Sequence, residues 1–216
     1  MNFETARAQC LSQQVRAWEV LDDRVLGVME ATPRELFVPE NERELAYADT
    51  EIPLGHGQIM MAPKVEGRLL QALQIEPSDE VLEIGTGSGY LTACLARLAR
   101  RVTSIDVFSD FVAGASARVR EQGIRNVDLS TADGLQLPPT RQFDAIAVTG
   151  SVPTLTEHFP RLLKPYGRLF IVVGRAPVME ACLITQHPRG HLTRQDLFET
   201  VLTPLLNADQ PEPFVL

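Results

Sequence analysis

The hydrophobic positions of this chain first follow a helical period and then change to short apolar runs at about residue 80. Residues 3 to 30 place apolar side chains at intervals of three and four, which predicts two helices. Asp22 and Asp23 suit the N-cap of the second helix. Pro33 ends that helix, because proline disfavours helical backbone in the residue before it.

Residues 33 to 62 keep neither period and predict short segments and loops. Pro63 fits the first turn of a further helix, which runs to about residue 72. We therefore expect residues 1–62 to form an N-terminal helical and loop extension. It would cap a site in the domain formed by residues 63–216, and the whole chain would be one compact unit.

Strand and helix patterns alternate after residue 80. Predicted strands lie near 80–84, 101–106, 127–131, 143–148 and 168–173. Predicted helices lie near 89–99 and 109–122, with a shorter one near 154–163. Because parallel strands need crossover connections, this alternation predicts a parallel sheet with helices on both faces.

The end of the chain departs from this alternation. Residues 179–187 and 192–205 predict two strands with no helix between them. A hairpin here would add an antiparallel strand to the sheet. His187 and His191 lie in its turn, where Pro188 and Gly190 prevent a helix from presenting both rings to a metal.

Composition narrows the class of protein. The 216 residues are 44% hydrophobic and 22% charged, as expected for a soluble globular domain. The formal charge of −8 argues against a broad nucleic-acid surface. Cys10, Cys94 and Cys182 include no Cys-x-x-Cys pair, so we expect no metal site and no disulfide framework. No secretory signal or membrane-spanning run is visible, and we expect a cytoplasmic protein without membrane partners.

A glycine-rich turn lies between the first sheet strand and an apolar helix that begins near Tyr90. Small residues at such a turn let a nucleotide cofactor approach the backbone, although a turn without a ligand is the alternative. The spacing is one residue shorter than that of dinucleotide-binding proteins. With Glu83 before it, the run resembles motif I of S-adenosylmethionine (AdoMet) methyltransferases. The predicted cofactor-binding residues here are Glu83, Gly85, Thr86, Gly87, Ser88 and Gly89.

Polar residues follow the next three predicted strands. Asp106 lies 21 positions after Gly85, where a carboxylate can accept hydrogen bonds from both ribose hydroxyls; an N-cap is the alternative role. Asp133 and Gly134 follow the third strand, where methyltransferases place an acidic residue near the adenine, although Asp-Gly is also a common turn. Thr149 follows the fourth strand. Their convergence on one crevice supports a ligand site. The shorter glycine spacing and the lack of a separate substrate-domain pattern favour AdoMet over NAD as the cofactor.

Two segments outside this general fold make the resemblance specific. Residues 32–39 and 53–58, followed by Pro63, closely resemble the protein-L-isoaspartate O-methyltransferases. That family shows a Val-Pro-Arg-Glu-x-Phe-Val-Pro element and a Pro-Ile-Gly-His-Gly-Gln-Thr-Ile-Ser-Gln-Pro loop. The resemblance extends from about residue 9 to about residue 205.

Membership implies a three-layer Rossmann-like fold, with a mostly parallel seven-stranded sheet and a C-terminal antiparallel hairpin. It also implies methyl transfer from AdoMet to the carboxylate of isoaspartyl or D-aspartyl residues, which begins the repair of damaged protein. The partner would be an isoaspartyl protein or peptide, and the family expectation is a monomer. His56, in the family loop, would brace that loop or lie near the cofactor.

The chain departs from the family at the loop before Pro63. The family's Thr-Ile-Ser-Gln falls on residues 59–62, so Met61 stands at the position of the active-site serine. The acceptor carboxylate is already ionised and needs no base, but a thioether cannot replace the lost hydrogen-bond donor. Thr149, with backbone donors, is the candidate catalytic group, and Ser151 could supply a second hydroxyl. Met60 and Met61 could also simply pack in the core.

Three hypotheses follow. The first is an isoaspartyl carboxyl methyltransferase weakened by the loss of the serine. The second is an AdoMet-dependent methyltransferase with a different, less polar and small acceptor. The third is a non-catalytic AdoMet-binding protein.

Overall fold

The computed structural model describes residues 2–208, and its N-terminal part is helical as predicted. Asn2 caps the first helix by accepting from the Thr5 amide, and the Asp22 side chain accepts from the Arg24 amide at 2.8 Å to cap the second. Glu19, with a φ of +62°, ends the first helical segment. The segments are α1 (Phe3–Cys10), a π-helical turn (Leu11–Val15), a 3-10 turn (Arg16–Trp18) and α2 (Asp23–Ala31).

The short segments after α2 contain a hairpin that the sequence pattern did not reveal. Strands β1 (Ile52–Gly55) and β2 (Gln58–Met60) pair antiparallel. They are too short for a period of two to be visible, and they join through residues with positive φ. Two 3-10 turns (Arg34–Leu36 and Glu40–Leu45) precede the hairpin, and α3 (Pro63–Leu73) follows it with proline in its first turn, as predicted.

The remaining elements form the predicted sheet. Its strands are β3 (Glu80–Ile84), β4 (Arg101–Asp106), β5 (Val127–Thr131), β6 (Phe143–Val152), β7 (Leu163–Arg175), β8 (Val178–Gln186) and β9 (Leu192–Glu199). Helix α4 (Tyr90–Leu98) joins β3 to β4, and α5 (Ser109–Glu121) joins β4 to β5. The strand order is β5-β4-β3-β6-β7-β8-β9, and β8 alone runs antiparallel to its neighbours. The mostly parallel seven-stranded sheet and its C-terminal hairpin are thus confirmed.

Strand β7 begins at Leu163, five residues before its predicted start, and two further predictions are wrong. The helix expected near 154–163 is only a 3-10 turn at Pro160–Leu162, because Pro160 removes an amide donor and its ring clashes within a helix. The last strand ends at Glu199 instead of near residue 205. The chain then forms an isolated parallel bridge with β6, where the Ser151 amide donates to the Thr203 carbonyl at 3.0 Å.

The two faces of the sheet have different covers. Alternate strand residues such as Val81 and Phe170 pack against α3 and α4. Their neighbours Leu82 and Ile171 pack against irregular chain that includes Phe159. The prediction of helices on both faces is therefore wrong, because 3-10 turns and loops form the third layer. The N-terminal extension shares the first core, since Val15, Leu26 and Phe37 belong to the same cluster as Leu69 and Val81. Within residues 2–208 no helix is long and apolar enough to cross a membrane.

Candidate active site

A cleft of about 840 Å³, counted with its open mouth, lies at the carboxyl ends of β3, β4 and β6. Its floor is the glycine-rich turn after β3. Its walls carry Asp106, Asp133 and Gly134, together with the β1–β2 hairpin and the residues up to Met61. The structure therefore brings the predicted strand-end residues and the family loop to one place.

The turn after β3 has a backbone that only glycine adopts readily. Gly85, Gly87 and Gly89 have φ values of +98°, +49° and +84°. A Cβ on Gly85 would lie 2.1 Å from the Thr149 hydroxyl oxygen, and one on Gly89 would lie 2.8 Å from the Cβ of Ala115. Backbone conformation thus favours glycine at all three positions, and close packing also requires it at Gly85 and Gly89.

Glu83 supports this turn from beneath and does not line the cleft. Its carboxyl is fully buried, and Oε2 accepts from the Ser104 hydroxyl at 2.5 Å and from the Thr92 hydroxyl. Burial raises the pKa of Glu83 to about 8, although both hydroxyl groups act in the opposite direction. Glu83 therefore ties β3 to β4 and to α4.

Asp106 faces the cleft with both oxygens fixed by backbone amides. Oδ2 accepts from the Gly87 amide at 2.9 Å, and Oδ1 accepts from the Phe108 amide at 3.0 Å. The N-cap residue of α5 is Phe108, so Asp106 lies before the cap position. A carboxylate offers about four lone-pair sites, and two remain for a pair of hydroxyl groups.

Asp133 and Gly134 form the end of the same wall. Asp133 accepts from the Leu135 amide at 2.9 Å, which caps a 3-10 turn, and from the Asn207 side chain at 3.1 Å. A Cβ on Gly134 would lie 2.4 Å from a methyl group of Ile84. Asp133 thus has the turn role considered for it, in addition to its place in the cleft.

The two hydroxyl groups after β6 point to different places. Thr149 lines the cleft, and its Oγ1 donates to the carbonyls of Gly85 at 2.8 Å and Ile84 at 3.0 Å. Ser151 is fully buried and donates to the Leu202 carbonyl at 2.9 Å, so it does not supply a hydroxyl to the cleft. Each hydroxyl group has one proton to donate, and both Thr149 and Ser151 donate it to carbonyls of the protein.

Met60 and Met61 are buried and also line the cleft. The Met61 carbonyl accepts from Arg34 Nη2 at 2.6 Å, and Nη1 of the same guanidinium is paired with Glu66. Sequence reasoning missed Glu66. The signal was present, because Glu66 lies on the apolar stripe of α3, at helical spacing from the buried Leu69 and Leu73.

His56 lies at the tip of the β1–β2 hairpin and braces it. Its ring stacks on Phe108, with centroids 4.1 Å apart, and Nε2 is 2.9 Å from Asp110 Oδ2. This hydrogen bond lowers the pKa of Asp110. Of the two roles expected for His56, the structure shows the bracing of the loop.

No group of three or more His, Cys, Asp or Glu within residues 2–208 could hold a metal ion. The three cysteines are free and buried.

The sheet order, the reversed β8, the glycine turn and the acidic residues at strand ends together define an AdoMet-dependent methyltransferase of Rossmann-like fold. Comparison with known proteins gives the family. The model of the protein-L-isoaspartate(D-aspartate) O-methyltransferase family matches residues 6–210. This chain belongs to that family.

Individual relatives support the same family assignment. A protein-L-isoaspartate O-methyltransferase of Rhodopseudomonas palustris is 36% identical over 208 residues, covering 94% of this chain and 95% of the relative. A protein-L-isoaspartate O-methyltransferase 2 of Pelobacter propionicus is 34% identical over 210 residues, covering 96% and 93%. A crystal structure from Plasmodium falciparum, of a protein described as the same enzyme with S-adenosyl-L-homocysteine, has a TM-score of 0.79 at 23% identity. It covers 95% of this chain and 98% of its own, and it supports the fold alone.

The Thr149 hydroxyl should contribute to the stability of the cradle. We expect Thr149→Val to lower the free energy of unfolding by about 1 kcal/mol, because two carbonyls lose a donor. Thr149→Ser keeps the donor and should lose less than half as much. Urea unfolding of the three proteins measures the difference. A valine variant as stable as the wild type would contradict this role.

Proposed function

We propose that this protein transfers the methyl group of AdoMet to the carboxylate of isoaspartyl or D-aspartyl residues in damaged proteins or peptides, at a rate limited by its acceptor loop. The observation that carries the proposal is that the methyltransferase cradle and the family's acceptor loop line one cleft. The names of the relatives supply the acceptor.

The residues present fit AdoMet. The glycine turn gives a floor whose backbone is exposed, and Asp106 keeps lone pairs for the ribose hydroxyls. Asp133 and Gly134 close the end of the wall where the adenine would lie. AdoMet, when bound, supplies a methyl group on a positively charged sulfur, which a carboxylate oxygen can attack. We assign the floor to backbone contacts of Gly85–Ser88, with Thr149 holding that backbone in position.

The protein must also align the acceptor carboxylate with the methyl group of AdoMet. A carboxylate of the aspartate type has a pKa of about 4 and is ionised at neutral pH, so no residue has to remove a proton. The cleft walls must exclude water and hold the acceptor in line. Ile59, Met60 and Met61 make this part of the cleft apolar, and Leu205 of the C-terminal segment also lines the cleft. Met61 cannot donate a hydrogen bond to the acceptor, which should slow the reaction.

A substitution of Asp106 tests the cofactor half of the cleft, which is lined by the glycine turn, Asp106 and Asp133. Asp106→Asn keeps the shape but replaces one acceptor oxygen by a donor, so we expect the affinity for S-adenosylhomocysteine to fall about tenfold. Asp128→Asn removes an exposed carboxylate on β5 and should leave the affinity unchanged. Isothermal titration calorimetry measures both. Equal binding by Asp106→Asn and the wild type would reject the ribose assignment.

A substitution of Met61 tests the acceptor half of the cleft, which is lined by Ile59, Met60 and Met61. We expect Met61→Ser to raise the rate of methyl transfer to an isoaspartyl peptide by up to ~100-fold, because one aligned donor is worth about 3 kcal/mol. The peptide with normal aspartate should stay unmethylated. Met60→Ser is the matched control, since Met60 and Met61 are each 4% exposed.

Three outcomes are informative. A gain with Met61→Ser but not with Met60→Ser supports the proposal. Full wild-type activity without a gain shows that Met61 is not limiting. No transfer by the wild type or by either variant, when S-adenosylhomocysteine binds, rejects the isoaspartyl acceptor.

A further inference from the structure

Glu66 is an acidic residue on the acceptor side of the cleft. Asp106 and Asp133 also line the cleft, but both carboxylates already accept hydrogen bonds from backbone amides. Glu66 comes from α3, is 2% exposed, and shares its cleft wall with Met60 and Met61. An acceptor that enters beside the two methionines therefore meets this carboxylate.

Arg34 neutralises Glu66 and ties it to the acceptor loop. The guanidinium is 1% exposed, pairs with Glu66 Oε2 through Nη1, and donates to the Met61 carbonyl through Nη2. It also lies 4.9 Å from the centre of the Tyr90 ring, and its Nε has no hydrogen-bond partner. Arginine stays cationic in proteins, so only Glu66 can change the charge of this pair.

We propose that Glu66 is a specificity-determining residue of the acceptor half: its carboxylate cancels the charge of Arg34 and thereby limits the affinity of the cleft for an anionic acceptor. The inference rests on the proposed function, in which the acceptor is a carboxylate. With Glu66 uncharged, the cation of Arg34 would attract that acceptor through a poorly screened wall.

The proposed role of Glu66 predicts that the affinity for the acceptor depends on pH. Burial raises its pKa to about 7, although Arg34 acts in the opposite direction. As pH falls through this value, Glu66 gains a proton and the pair changes from neutral to positive. The acceptor carboxylate stays ionised over this range. Its affinity should therefore rise as pH falls from 7.5 to 6.

The other groups that face Glu66 keep their charge over most of this range. Burial raises the pKa of Cys10 to about 11 and of Cys94 to about 12, and it places that of Tyr90 well above its usual value. The pKa of Glu83 is raised to about 8, so Glu83 stays largely protonated between pH 6 and 7.5. The charged and titratable groups that face Glu66 are Arg34, Cys10, Glu83, Tyr90 and Cys94.

The experiment compares two peptides by calorimetry in the presence of S-adenosylhomocysteine. One contains isoaspartate, and the other is its uncharged carboxamide analogue. We expect Glu66→Gln to bind the isoaspartyl peptide roughly tenfold more tightly at pH 7.5, with the carboxamide unchanged. The wild type should gain affinity for the isoaspartyl peptide between pH 7.5 and pH 6, and Glu66→Gln should not.

The control is Asp79→Asn. Asp79 pairs with Arg168, whose Nε is also buried without a partner, at the amino ends of the strands and away from the cleft. The Asp79→Asn substitution should leave the affinity for both peptides unchanged. The wild-type pH profile needs no variant, so it decides the inference even if Glu66→Gln folds poorly.

Equal effects of Glu66→Gln on both peptides, or a wild-type affinity that does not change with pH, would overturn the inference. If the peptide binds with the predicted dependence on Glu66 but is not methylated, the proposed function fails and the inference stands. If it is methylated with an affinity insensitive to Glu66 and to pH, the inference fails and the proposed function stands.

Discussion

The cleft depends on the position of β3 between β4 and β6. Because these neighbours lie on opposite sides of β3, the chain leaves their carboxyl ends in opposite directions and a crevice opens above β3. The turn after β3 must then follow the floor of that crevice with little room, since the Thr149 hydroxyl binds its first carbonyls. Glycine at residue 85 and the fixed carboxylate of Asp106 are consequences of this crowding.

The two halves of the cleft are built differently. Backbone hydrogen bonds near the sheet hold the cofactor half, so its geometry depends little on distant contacts. Side chains far apart in sequence hold the acceptor half: Arg34 reaches both Glu66 and the Met61 carbonyl, and His56 fixes the hairpin on α5. Small changes in that network can alter acceptor binding while the cofactor site is kept.

This difference also explains what the sequence could reveal. The cradle, Asp106 and the sheet were predictable because each depends on neighbouring residues and on a regular period. The roles of Ser151 and Thr149 were not, since their hydroxyl groups bind carbonyls of chain segments more than 50 positions away. The segment near 154–163 carries apolar residues at helical spacing, but Pro160 and burial of Phe159 against the sheet favour a short turn. The pairing of Arg34 with Glu66 joins residues 32 positions apart and has no local pattern.

The most direct test of this account is to locate the transferred methyl group. A peptide with one isoaspartyl residue, one normal aspartyl residue and one lysine would be incubated for a long period with AdoMet and the wild-type protein, then sequenced by mass spectrometry. The account predicts a methyl ester on the isoaspartyl carboxyl alone, lost in mild alkali with partial return to normal aspartate. A methyl group on another side chain, or none on the isoaspartyl residue, would contradict it.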